Sequence, residues 1–223
     1  MPWSPSNAEI VATVGEGLLG TYVRKGSALH FEGPRPGPGW HRHDQRPRTL
    51  AVLRPTGAER VVVYRRRWRL AGTTRTHQDR CPDEVGGLHV IVVVLLLKLW
   101  SWLSATRGLY HYDEIVPALR KYGCERTVQR WLARMLPRAL PLHRAIVDAV
   151  IERSEPRPVE QLFPGGLSPP DTLLRRRWLD PAGISTVWQG LAWLFGGAIK
   201  LGVSTTALLA EVRRRTPDLT FTS

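Results

Sequence analysis

Five side chains in one short stretch have the types and the spacing that read nucleic acid. Arg126, Thr127, Gln129, Arg130 and Arg134 fall at helical intervals ahead of Pro137. A guanidinium fork pairs with a guanine edge or a phosphate, and a glutamine amide pairs with adenine. Between them Val128, Trp131, Leu132 and Met135 recur at i, i+3, i+4 and i+7, which makes one apolar face. The spacing therefore predicts a helix from Arg126 to Leu136 with a basic, amide-bearing outer face, stopped by Pro137. Upstream, residues 112–122 read as a shorter helix and Gly123 as a tight turn. Pro117 fits that helix only as a first-turn residue. Together they make a helix-turn-helix whose second helix enters a DNA groove. An ordinary helical hairpin with a solvated basic face has the same pattern.

A second basic set, Arg65, Arg66, Arg67 and Arg69, lies in the run Arg60–Leu70. With Thr49–Leu53 across a Pro55-Thr56-Gly57-Ala58 turn, this run reads as a β-hairpin. Such a hairpin can lie along a phosphate backbone, and an edge strand defended by charge looks alike. Metal chemistry has a weaker case. His41, His43, His77 and Cys81 form an HxH…HxxxC series, but the expectation is loop histidines and no metal. Catalysis is not encoded either. No Gly-rich phosphate loop, GxSxG, HExxH or Cys-x-x-Cys occurs, and Glu155, Glu160, Asp171 and Asp180 lack the strand context of a two-metal site. Cys124 near His111 reads as a turn residue. The chain is expected to be no enzyme and to need no cofactor.

Composition agrees with a nucleic-acid partner. The 223 residues carry 32 Lys and Arg against 19 Asp and Glu, a net charge of +13. Nearly all the cations are arginine, which suits phosphate and base edges, although a GC-rich genome has the same effect. Two cysteines give no disulfide framework, so a reducing compartment is the default. The opening MPWSPSNAEI is no signal peptide, and the expected location is cytoplasmic.

The positioning elements divide the chain into four. Residues 1–80 form a basic region with one weak helix, Ala8–Leu19, capped by Ser6 or Asn7, and little regular structure before Thr49. Residues 81–155 form the helical domain. Its apolar run Gly87–Leu103 is too short for a hydrocarbon core of about 30 Å and reads as a buried helix. A further helix, Leu140–Arg153, turns Ile146, Val147, Val150 and Ile151 inward. Residues 156–170 are a Pro/Gly-rich linker. Residues 171–223 hold a helix from Ser185 to Leu201, interrupted at Gly196-Gly197, and a last helix, Thr205–Arg215. Ala198, Gly202 and Val203 echo a second helix-turn-helix, with Glu211 at its apolar position.

Three of these stretches, in order, resemble the zinc ribbon and helix-turn-helix of insertion-sequence transposases. They are a knuckle-like turn at Gly33–Gly37, the run Tyr64–His77, and Tyr122–Leu132. The resemblance covers roughly residues 30–155. It implies a ribbon around one zinc, but the four cysteine places hold Gly33, Pro36, Leu70 and a Gly72-Thr73 pair. It also implies a catalytic half that is missing here. The expectation is thus a mainly α fold with a small N-terminal ribbon-like β-hairpin and a helix-turn-helix core. The function expected is non-catalytic binding of double-stranded DNA by a protein of mobile-element origin, with no membrane span and with a homodimer allowed. The alternative is a helical module for a protein or membrane-surface partner, using Trp100, Trp102, Trp188 and Trp193, with solvated arginines.

Overall fold

A computed structural model describes residues 5–54, 57–79, 81–85, 92–104, 125–154, 159–163, 166–167 and 181–216. The first hairpin joins β1 (Tyr22–Lys25) to β2 (Ala28–Phe31) through Gly26 and Ser27. Gly26 has φ 61°, the left-handed region that a two-residue hairpin turn needs. The second joins β3 (Trp40–Arg54) to β4 (Gly57–Leu70), and β5 (Thr76–Gln78) returns along β4. These strands form one mixed five-stranded sheet in the order β1-β2-β4-β3, with β5 on β4 and β2 parallel to β4. The expected mainly helical fold with one small ribbon-like hairpin is therefore wrong.

Local sequence predicts a hairpin starting at Thr49, but β3 starts at Trp40. Its first half is poor in strand-forming residues. Pairing holds it: β3 is matched to β4 along its whole length. Asp44 reinforces that pairing with a two-pronged ion pair to Arg67, at 2.8 Å on each prong. Pro47 and a bulge between Arg42 and Asp44 sit on this edge strand, where a missing ladder donor does no harm.

One sheet face packs inward through Leu29, Leu50 and Val63. Residues 79 and 81–85 then strap across the sheet by their carboxylates. Asp79 accepts hydrogen bonds from Trp68 Nε1 at 3.0 Å and Gly33 N at 2.9 Å. Asp83 accepts from Gly20 N at 2.7 Å and from the Tyr22 hydroxyl. Glu84 pairs with Arg48 at 2.5 Å and Arg65 at 3.0 Å. Gly33 stands where the resemblance expects a zinc ligand. Here Asp79 makes the cross-link, and a Cβ on Gly33 would sit 2.8 Å from its Cγ.

Helix α1 (Asn7–Thr13) is shorter than expected and capped by Ser6, whose side chain and backbone exchange hydrogen bonds with Glu9. Helix α2 (Val92–Ser104) is buried on every side from Val92 to Leu103, as a sequence apolar all round except at Lys98 and Ser101 requires. Then come α3 (Glu125–Met135), a 3-10 turn (Leu136–Arg138), α4 (Ala139–Ser154), α5 (Val159–Leu162), α6 (Pro181–Leu201) and α7 (Thr205–Arg215). In α4, Ile146 and Val150 are buried as expected, whereas Val147 is half-buried and Ile151 is exposed. Gly196-Gly197 does not interrupt α6. The absent side chain of Gly197 lets α4 approach, and a Cβ there would meet Val150 Cγ2 at 2.6 Å. Within the stretch read as linker, α5 is followed by buried Phe163, whose ring packs edge-on to Trp193 at 4.7 Å. One continuous buried cluster runs from Ile10 through Val63, Trp100 and Trp131 to Val212.

Candidate nucleic-acid interface

Helix α3 is built as the apolar spacing requires. Val128, Trp131, Leu132 and Met135 are all buried, and α3 contacts α2 and the 3-10 turn that holds Pro137. Four anchors on one side leave the other side to solvent. Arg126, Arg130 and Arg134 are exposed there, while Thr127 and Gln129 are half-buried and already in contact with other groups. Among the described residues no carboxylate lies within ion-pair distance of those three arginines. They form a cationic stripe at i, i+4 and i+8, and Arg134 sits in the last turn, where the helix dipole favours a cation. The first helix of the expected helix-turn-helix, with Pro117, Ala118 and Gly123, lies outside the described residues.

The β4 arginines are placed differently. Arg65 is committed to Glu84, Arg67 to Asp44, and Arg66 to Glu32 at 2.5 Å with its guanidinium 5.2 Å from the Trp68 ring. Arg69 is exposed and donates to the Thr73 carbonyl at 2.9 Å. The run that looked most basic in sequence is thus largely neutralised from within, whereas the three exposed arginines of α3 have no carboxylate partner among the described residues.

The α6–α7 corner has the turn of a helix-turn-helix. Gly202 at φ 66° ends α6, with Val203 N donating to Ala198 O at 3.0 Å, and Ser204 caps α7. Its groove-facing end is covered, however. Thr205 and Thr206 are buried against the end of α1, through Thr13 Oγ1 at 2.9 Å and Val14 O at 2.6 Å. Glu211 is engaged by Arg153, Arg214 and Arg215.

The metal candidates do not converge. His41 and His43 are exposed on β3, and His77 on β5 sits edge-on to Trp40 at 6.1 Å. Cys81 is buried beneath the sheet, and burial, reinforced by Glu84, pushes its thiol up to about 12. Among the described residues no three His, Cys, Asp or Glu side chains are grouped to hold a metal ion.

Sequence reasoning overlooked the strap. Its signal was the density of acids in Asp79–Glu84 directly after a cationic hairpin, a pattern that invites internal pairing. Comparison with known proteins identifies no matching family model, no similar curated protein and no similar solved structure.

Proposed function

We propose that this protein binds double-stranded DNA without catalysing a reaction on it, and that α3 is the element that enters the major groove. The observation that carries this reading is the contrast between two sets of arginines. Arg65, Arg66 and Arg67 of β4 are consumed by internal carboxylates, whereas Arg126, Arg130 and Arg134 are exposed, with no acidic partner among the described residues, on a helix anchored along its opposite side. At about 1.5 Å per residue α3 is about 16 Å long, enough to lie across a groove about 12 Å wide. Arg126, Arg130 and Arg134 supply the phosphate and guanine contacts, and Gln129 and Thr127 flank them. The resemblance to transposase recognition regions supports the same reading and a mobile-element origin.

Three of the four tryptophans of the interaction-module alternative are not at the surface, and the fourth, Trp193, is half-buried against Phe163. Trp100, Trp102 and Trp188 are interior, and Trp100 stacks on Trp188 at 5.6 Å. No helix among the described residues is long and apolar enough to cross a membrane. Selection from a randomised duplex library tests the proposal. The wild-type protein should enrich a defined site, and Arg130→Ala should lower discrimination at one base step by about 1–3 kcal/mol. Enrichment of the same site with unchanged preference by Arg126→Ala, Arg130→Ala and Gln129→Ala alike would remove α3 from the interface.

A further inference from the structure

The sheet has a second face, covered at Ala51, Leu53 and Trp68 and open between them toward β1 and β2. The strand registers place Val23, His30, Tyr64 and Pro47 side by side on it, one from each of β1, β2, β4 and β3. At about 4.8 Å between strands this row is about 14 Å wide. The His30 and Tyr64 rings are 5.0 Å apart and 12° from parallel, and both residues are half-buried. Val23 at 48% and Val62 at 37% exposure are the most exposed large aliphatic side chains of the described sheet, and both belong to this face. An open apolar row on a charged protein marks a binding surface.

Charge around the row identifies the partner. Lys25, Arg42 and Arg60 are exposed on the same face, and among the described residues none has a carboxylate within ion-pair distance. Glu32 is the acid beside them, and it is already taken by Arg66. Arg66, and at longer range Lys25 and Arg42, hold its carboxyl below the usual range. The face therefore joins planar and aliphatic side chains to unpaired cations. That combination fits a polyanion that carries planar apolar rings. A duplex hides its ring faces within its own stack, whereas a single strand offers them.

We propose that the open sheet face is a binding site for single-stranded nucleic acid. Bases pack against Tyr64, His30 and the flanking Val62, and phosphates meet Lys25, Arg42 and Arg60. This site is separate from α3, on other elements and with other chemistry. It does not depend on α3 reading duplex DNA.

Fluorescence anisotropy of the full chain with labelled oligothymidylate tests it, with labelled heparin and polyglutamate as probes without bases. Tyr64→Ala should weaken oligothymidylate binding about tenfold and leave heparin binding unchanged, whereas Tyr64→Phe keeps the ring and should bind as wild type. Val62→Glu adds a like charge to the strand at an exposed position, without disturbing the core, and should weaken binding at least as much. Arg42→Ala or Arg60→Ala should flatten the salt slope by about 0.7 each. An unchanged affinity in both Tyr64→Ala and Val62→Glu would overturn the proposal. So would equal losses toward heparin. Tight binding of polyglutamate, with the same sensitivity to Tyr64→Ala, would make the face a dock for acidic protein segments instead. Variants in α3 should leave oligothymidylate binding intact.

Discussion

Asp83 is fully buried, and its carboxyl is pushed up to about 6, above the ordinary 3.8, because burial outweighs the hydrogen bonds from Tyr22 and Gly20 and the attraction of Arg213. The sign follows from linkage. A carboxyl that is harder to ionise when folded favours the folded state below its unfolded value, and that contribution is lost as pH rises through about 6. A rise of this size corresponds to about 3 kcal/mol. Urea midpoints of wild type and Asp83→Asn should therefore diverge between about pH 4 and pH 7, with only the wild type losing this increment. Parallel curves would mean that Asp83 does not titrate in this range. Its neighbour Glu84 acts through ion pairs. It is shared by Arg48 and Arg65, so Glu84→Ala strands two half-covered guanidinium groups and should cost about 3 kcal/mol in chemical denaturation. A change under about 1 kcal/mol would show the strap to be dispensable.

At the scale of elements, legibility followed the strength of periodicity. α3 and α7 emerged within a residue or two of their expected bounds, because a strong apolar period and clear stops define them. The core role of α2 was legible for the same reason: nothing in Val92–Leu103 except Lys98 and Ser101 prefers water. The sheet was not. The β1–β2 hairpin carries a Gly-Ser turn, but its two four-residue runs are too short to show a strand period. The first half of β3 is specified by its partner strand and by cross-strand charge, which no local propensity reveals. The same limit misjudged Gly197, a poor helix former placed where α4 must come close. Gly197→Ala gains about 1 kcal/mol of helix propensity but drives a methyl into Val150, and overpacking of this kind costs about 1–3 kcal/mol. Thermal melts should show Gly197→Ala less stable than wild type, and Val150→Ala should be better tolerated in its presence than alone. A simple gain in midpoint from Gly197→Ala would place the helices farther apart.

For the whole molecule, the charge of +13 is distributed by partner rather than by sequence position. Carboxylates of the strap and of β3 absorb Arg48, Arg65 and Arg67 of the hairpin, and among the described residues the outer face of α3 and the open face of the sheet keep cations without a carboxylate partner. The candidate site was legible in sequence for α3, where burial and exposure follow a period. On β4 the sequence showed the arginines but not their partners, because only the fold brings Glu84 and Glu32 to them. A core shared from Ile10 to Val212 also ties α1 to α6 and α7, so substitutions on the surface of α3 should leave unfolding unchanged. That separation makes one measurement decisive: the salt dependence of duplex DNA affinity for wild type and for Arg126→Ala/Arg130→Ala/Arg134→Ala. Each lost phosphate contact removes about 0.9 from the log–log slope. With the thermal midpoint unchanged, the triple variant should bind duplex more weakly at every salt concentration, on a slope shallower by about 2–3. The same affinity and the same slope as wild type would contradict the assignment of duplex DNA to α3.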